Sequence, residues 1–367
     1  MKEQFDYVAI GGGLVGSAIA YGLSRQNKRV ALLDEGDVAL RASRGNFGLV
    51  WVQGKGVDFP SYSDWTRLSV AVWPQLAEEL KALTGVDLAY SRPGGLQLCL
   101  DAAEYTEREQ TLTLLQQQTD GRFPFEMLDN QATRKLMPVV APDIAGASYC
   151  PLDGHANPLY LLRALHQGFL QQQGHYLPNR PVQAIQPQDA GFRIDTRQGP
   201  VYCERLVLTA GLSNRALGKM VGLQVPVAPN KGQILVTEKL APLLDLPTVQ
   251  VRQTAEGGVM IGDSHEETGL ETDTSSAVMA AIARRAVQMF PVLRNVRLVR
   301  AWAALRVMTP DGKPIYQQSE QYPGAYVATC HSGVTLAANH ALRLPAWLLG
   351  TAPLPEIEPF TASRFDQ

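Results

Sequence analysis

The chain has 367 residues, with 33 Lys+Arg against 35 Asp+Glu and a formal net charge of −2. Hydrophobic residues make up 45% and charged residues 19%, which suits packed cores and excludes a disordered chain. The length fits two or three domains, and the near-neutral charge gives no pull toward nucleic acid or an anionic membrane surface.

The four cysteines, Cys99, Cys150, Cys203 and Cys330, lie far apart, with no CxxC and no Cys/His ligand spacing. That speaks against a disulfide framework or a metal site and for a reducing, cytoplasmic compartment. Tyr7 to Ser24 carries no charge over 18 positions, the length at which a membrane span becomes conceivable. It also holds five glycines and lacks a basic flank, since Lys2 is followed by Glu3 and Asp6. It therefore reads as a buried strand, a glycine turn and a buried helix.

In chain order, Phe5–Ile10 is a short apolar run ended by three glycines, as expected of a parallel strand buried on both faces. Leu14–Arg25 reads as a helix of small residues, and Val30–Leu33 as a second buried strand. The three make a βαβ unit with a right-handed crossover. Asp64–Leu83 has helical periodicity, with Pro74 as a kink and Gly85 as the stop. A strand over Gly95–Leu100 and a polar helix over Ala103–Gln118 follow. Pro158–Gln173 is a helix with proline at its start and Gly174 past its end.

Strands are expected over Pro181–Ile185, Phe192–Thr196, Arg205–Thr209, Gly232–Thr237 and Gly258–Ile261, and a helix over Ser275–Phe290. A late strand, Gly324–Thr329, precedes a helix over Ala337–Leu349. The tail Thr351–Gln367, with three prolines, reads as an extended strap. The alternation of strands and helices predicts an α/β fold without internal repeats.

Gly11-Gly12-Gly13-Leu14-Val15-Gly16 satisfies GxGxxG between a strand and a helix. Gly11 allows the tight turn, Gly13 lets a pyrophosphate reach the backbone, and Gly16 permits close helix–strand packing. The helix N-terminus then offers N–H groups and its positive end to phosphates. Asp34, 21 residues after Gly13, or the adjacent Glu35 supplies the acceptor for a ribose. The dinucleotide is NAD or FAD. A second buried strand ending in Ala210-Gly211, nearly 200 residues on, suggests a nucleotide domain interrupted by another and then resumed.

These motifs, with Ala42–Leu49, Asp153–Pro158, Lys231–Gln233, Trp302–Arg306, Thr309–Gly312 and His331–Leu336, resemble the D-amino-acid oxidase superfamily of FAD-dependent oxidoreductases, which includes glycine and sarcosine oxidases. The resemblance covers nearly the whole chain. The runs Asn46–Gly56 and His331–Leu336 are most similar to the small flavin subunits of opine (octopine and nopaline) oxidases and D-hydroxyproline dehydrogenases. Such subunits work beside a larger subunit and an iron–sulfur protein.

The resemblance implies a Rossmann-like FAD-binding domain from residues 1–84, 147–218 and 300–367. An interleaved α+β substrate domain on an antiparallel or mixed sheet would come from 85–146 and 219–299. It implies that Ser43, Arg44, Asn46, Gly48 and Leu49 run along the pyrophosphate and flavin, and that the Val182 backbone pairs with adenine. Ala210 and Gly211 let the chain pass close to the cofactor. Gly333, Val334, Thr335 and Leu336 aim N–H groups at the flavin side that gains charge on reduction.

Arg306, costly among apolar neighbours unless paired, is implied to fork onto a substrate carboxylate beside the cofactor. Arg252 is a second carboxylate ligand or a solvated strand residue. His331 replaces an arginine of glycine oxidases; it would bond substrate or flavin and titrate near neutrality, or be structural. Trp51 and Lys55 face the active site, or Lys55 is a solvated loop lysine, and His155 holds its loop.

Ala304 stands where covalent sarcosine oxidases carry a flavin-linking cysteine, and no histidine lies in 43–52, so non-covalent FAD is expected. Met260 replaces an oxygen-activating lysine, which favours a dehydrogenase. The implied reaction is oxidation of an amino-acid C–N bond by hydride transfer to flavin N5, giving an imine. The alternatives are a stand-alone glycine, sarcosine or D-amino-acid oxidase that makes peroxide, or an electron-transfer subunit inactive without partners.

Overall fold

The computed structural model describes residues 4–36 and 42–366. Expectations that touch Lys2, Glu3 and Gln367 lie outside these residues. The fold is mixed α/β.

The first βαβ unit forms as expected: β1 (Gln4–Ile10), α1 (Leu14–Ser24) and β2 (Val30–Leu33). A two-residue strand β3 (Leu49–Val50) precedes α2 (Pro60–Thr84). The latter starts four residues before the expected Asp64, because Pro60 occupies the first turn, where its missing N–H costs nothing. The helix runs on through Pro74 and stops at Gly85, which takes the left-handed conformation (φ 72°). Next come β4 (Gly95–Cys99) and α3 (Ala102–Gln118), which Asp101 caps by accepting from Glu104 N–H.

Short elements without a local sequence signal come next: β5 (Glu126–Asp129), α4 (Asn130–Leu136), β6 (Gly146–Cys150) and β7 (Gly154–His155). Then α5 (Pro158–Gln171) leads to β8 (His175–Leu177), β9 (Val182–Gln188), β10 (Gly191–Thr196) and β11 (Gly199–Leu208). The chain continues through α6 (Asn214–Lys219), β12 (Ala228–Lys239), β13 (Val251–Gln253), β14 (Gly258–Ile261) and α7 (Ser276–Met289). It ends with β15 (Leu298–Met308), β16 (Ile315–Gln318), β17 (Ala325–Thr329), α8 (Ala337–Leu342) and α9 (Leu344–Leu349). The single helix expected over 337–349 is thus two, broken at Arg343 before Pro345. The tail is not an extended strap: it coils into two 3₁₀ turns, Pro355–Phe360 and Ala362–Phe365. Phe360 is fully buried there, against Phe59, Tyr62 and Tyr316.

The largest sheet has the order β16-β17-β11-β1-β2-β8, with the β9–β10 hairpin attached to β11. β1 pairs in parallel with both β2 and β11. Its faces feed two cores: Tyr7, Ala9, Leu32 and Val207 on one side, Val8, Ile10, Leu33 and Leu208 on the other. Burial on both faces is why these strands read as unbroken apolar runs. From β1 the chain goes to β2 on one side and returns as β11 on the other. A crevice therefore opens at the carboxyl ends of β1 and β11, where doubly wound sheets bind ligands.

The four-stranded antiparallel sheet, β13-β14-β12-β15, shares a third core with the three-stranded sheet β4-β6-β5 and α7, built from Leu96, Leu128, Leu235, Val259 and Met289. The expected domain edges at 146/147 and 299/300 fall inside β6 and β15. Strand β15 pairs antiparallel with β12, and its Leu305 and Val307 reach the crevice, which carries Arg306 toward it.

Candidate active site

The glycine turn between β1 and α1 is tightly built. Gly11 has φ +112°, and a Cβ there would lie 2.5 Å from Thr209 O. A Cβ on Gly16 would lie 1.9 Å from Gly11 O and 2.4 Å from Thr209 Oγ1. Thr209 Oγ1 donates to Ile10 O at 2.9 Å. His166 on α5, absent from the sequence reading, braces the same turn: its Nε2 lies 3.0 Å from Gly12 O and 2.8 Å from Ser17 Oγ. Asp34 accepts from Gly12 N–H at 2.7 Å and from Gly36 N–H at 3.0 Å.

A cavity of about 450 Å³ opens over this turn. Among the expected cofactor residues, Gly11, Gly13, Leu14, Val15, Asp34, Glu35, Ser43, Asn46, Val182, Ala210, Gly211 and Gly333 line it. Asp34 and Glu35 both reach the cavity. The N-cap of α1 is Gly13, with no side-chain cap and no acidic residue in the first turn. The positive end of α1 therefore faces the cavity without an anion of its own helix, which fits a pyrophosphate.

Other expected cofactor residues sit elsewhere. Gly16 packs α1 onto Gly11 and does not line this cavity. Leu336 is fully buried in the core beside α1, and Arg44 belongs to neither lining. Gly48 is needed for space: with φ +93°, its Cβ would meet Ala156 O at 2.5 Å. Leu49, Val334 and Thr335 line a second cavity instead.

This second cavity, about 290 Å³, shares Ala42, Asn46, Val307, Cys330 and His331 with the first. Trp51, Lys55, Arg306 and His331 line it. Arg306 is anchored through Nη1, which donates to Ser264 O at 2.7 Å and Asn230 Oδ1 at 3.1 Å. Its guanidinium lies against Gly232, where a Cβ would come within 2.5 Å of Nη1. Gly232→Ala should therefore push the Arg306 fork aside at little cost to the fold. Steady-state assays should show kcat/KM lowered by roughly 10–100-fold with Tm almost unchanged.

Arg252 does not line the second cavity. It is buried beneath the Asn46–Gly48 loop, donating from Nε to Phe47 O and from Nη2 to Met260 Sδ at 3.1 Å. Its Nη1 lies 3.4 Å from His155 Nδ1. These contacts make it a brace for the loop rather than a solvated residue or a second carboxylate ligand. His331 also departs from expectation. Burial, with the nearby charges of Lys55 and Arg306, lowers its pKa to about 3, so the ring is neutral at physiological pH. Cys330, at the junction of the cavities, is likewise kept neutral, since burial pushes its thiol up to about 12.

Lys55 is held in place from below. Asp153, named in a sequence motif without a role, is fully buried and accepts from Val52 N–H at 2.5 Å and Gln53 Nε2 at 2.7 Å. Arg108 and Ser148 complete the network through Gln53 Oε1, at 3.0 and 2.6 Å. Burial raises the Asp153 carboxyl to about 7, against an ordinary 3.8. The folded state then takes up a proton that the unfolded chain has released. This contribution to stability is complete below pH 3.8 and is lost as pH rises through about 7. Asp153→Asn should flatten that slope in urea titrations across pH 4–7. Asp153→Ala, which takes the acceptor from Val52 N–H and one of two from Gln53 Nε2, should cost about 2–4 kcal/mol.

The family model described as FAD dependent oxidoreductase matches residues 6–344. An opine oxidase subunit from Agrobacterium tumefaciens (strain Ach5) is 43% identical over 363 residues, covering 99% of this chain and 98% of its own. The corresponding opine oxidase subunit from Rhizobium meliloti is also 43% identical, with the same coverage. Among solved structures, glycine oxidase from Geobacillus kaustophilus superposes with a TM-score of 0.92 at 24% identity, covering 99% of both chains. L-proline dehydrogenase from P. horikoshii gives 0.87 at 18% identity, covering 100% and 99%. Among the described residues no helix is long and apolar enough to cross a membrane. With the glycine turn, Asp34 and the start of α1 lining one cleft, and with this match along its length, the chain belongs to the DAO family of FAD-dependent oxidoreductases.

Proposed function

We propose that this enzyme oxidises the C–N bond of a secondary or primary amino acid, either an opine such as octopine or nopaline or D-hydroxyproline. The observation that carries the reading is the Arg306 guanidinium, fixed on one nitrogen, in a cavity that opens directly into the dinucleotide cleft. The likeness to the opine oxidase subunits supports the opine class.

FAD, when bound, supplies the two-electron acceptor. Arg306 forks onto the substrate carboxylate and thereby orients the α-C–H bond. The cavity that Lys55 and Arg306 both line repels an ammonium and favours the neutral amine that oxidation requires. Neutral His331 can accept a hydrogen bond from the amine N–H. The α-hydrogen leaves as hydride and the nitrogen loses a proton, giving an imine that hydrolyses or cyclises. No residue that would link FAD covalently is needed: Ala304 offers no sulfur, and Cys330 is held as a neutral thiol.

On the same reading, the large sheet with α1 holds FAD, and the four- and three-stranded sheets form the substrate side. Both opine oxidase relatives are named as subunits, which favours a hetero-oligomer, with electrons passing to a partner chain rather than to oxygen. Met260 agrees, since its sulfur contacts Arg252 and no lysine replaces it.

The test is anaerobic reduction of the purified holoprotein with a panel of octopine, nopaline, D-hydroxyproline, proline, sarcosine and glycine. Bleaching of the flavin by an opine or by D-hydroxyproline is expected. A flavin that stays yellow with every amine, yet is reduced by dithionite, would sink the reading. Peroxide formed rapidly by the isolated chain in air would instead favour the stand-alone oxidase.

A further inference from the structure

We propose that Lys55 is the second carboxylate anchor of the cavity, so that the preferred substrate is an amine flanked by two carboxylates. This rests on the amine-oxidation reading above and adds the residue that sets the substrate class. Lys55 lines the same cavity as Arg306, from the loop between β3 and α2. Its Nζ donates to Ser332 Oγ at 2.7 Å and lies 5.7 Å from the centre of the Tyr62 ring. Tyr62 Oη is itself 2.8 Å from the same Ser332 Oγ. Among the described residues no carboxylate lies within ion-pair distance of Nζ.

A half-buried ammonium bonded to a single neutral oxygen is costly, and structural lysines in such places are usually paired. Two of its three N–H groups are left to meet a ligand. The carboxylate in the cavity wall, Asp263, is already engaged, with His265 Nε2 3.2 Å from its Oδ1. Arg306 commits only Nη1 to protein acceptors. The cavity thus holds two cations, on β15 and on the loop before α2, for which its own walls supply too little negative charge. Two carboxylates on either side of one amine nitrogen match that arrangement, whereas a simple amino acid leaves Lys55 unmatched.

The groups around Lys55 are the Ser332 hydroxyl, the Tyr62 phenol from α2, Cys330 and His331 after β17, and Asp153 beneath the loop. Burial lowers the ammonium to about 8, with Cys330 and Asp153 opposing. Recognition of the second carboxylate is therefore present below that pH and fades above it.

The experiment uses FAD-loaded enzyme and two inert ligands in calorimetric titrations. Thiodiacetate carries sulfur in place of the amine nitrogen between two carboxylates; (methylthio)acetate lacks one carboxylate. Wild type should bind the diacid at least about 10-fold more tightly. Lys55→Met should weaken the diacid by roughly 30–300-fold and change the monoacid by less than about 3-fold. Lys55→Arg should keep the preference and carry it above pH 8, where wild type loses it.

Equal weakening of both ligands by Lys55→Met, no preference in wild type, or no binding of the diacid each overturns the proposal. The two readings separate cleanly. If sarcosine and glycine bleach the flavin as well as opines do and both acids bind alike, Lys55 is not an anchor while amine oxidation stands. If no amine bleaches the flavin but the diacid binds through Lys55, the anchor stands and amine oxidation falls.

Discussion

Arg306→Leu should lower kcat/KM for an amino-acid substrate by roughly 10²–10⁴-fold, equivalent to about 3–5 kcal/mol of transition-state binding. The protein should still fold and hold FAD, because the side chain lines the smaller cavity and not the cavity over the glycine turn. Two terms add. The substrate loses a charge-assisted fork, and its carboxylate is left in a cavity with one cation fewer. Arg306→Lys restores the charge but not the planar pair of donors, and it also loses the Nη1 tether to Ser264 O. An intermediate loss is expected, with KM rising more than kcat falls. Leucine and lysine variants that match wild type in anaerobic flavin reduction would remove Arg306 from the site.

Gly13→Ala should separate cofactor binding from folding. Gly13 has φ −73°, which alanine adopts freely, and the new Cβ would meet only Ser43 Oγ, at 2.8 Å. A side-chain hydroxyl can move, so the apo protein should unfold within a few degrees of wild type. The methyl group stands where the pyrophosphate approaches the start of α1, and FAD affinity should fall by roughly 30–1000-fold, or about 2–4 kcal/mol. Gly16→Ala is the contrast. Its Cβ collides with Gly11 O and Thr209 Oγ1, atoms locked in the core, so the fold itself should fail. Flavin fluorescence and thermal melts read both. Tight FAD binding by Gly13→Ala would mean the phosphates lie elsewhere.

The large sheet was legible because its inner strands are buried on both faces and carry no alternation to misread. The short strands were not. Gly154–His155 becomes a strand only because Leu49–Val50 lies alongside it, and Glu126–Asp129 only because Gly146–Cys150 does. Such pairings span about 20 to 100 residues and leave no local signal. The two arginines show the same limit at the site. Both lie in strands, and the sequence does not say that Arg306 faces a cavity while Arg252 sits under a loop. Lys55 did leave a trace: it is the single charged residue between Arg44 and Asp58. A lone charge in a run of glycine and apolar residues has to be either solvated or functional, and only the folded loop decides which. His166 left no trace, since its role depends on α5 packing against α1.

The most direct measurement is one anaerobic turnover of the intact FAD-loaded enzyme with octopine, unlabelled and deuterated at the oxidised carbon. One 2-oxo acid per flavin should appear as the yellow absorbance is lost, and deuterium should slow that loss several-fold. Bleaching without 2-oxo acid, or at a rate indifferent to deuterium, would contradict cleavage of the C–H bond beside the amine as the chemistry of this cavity.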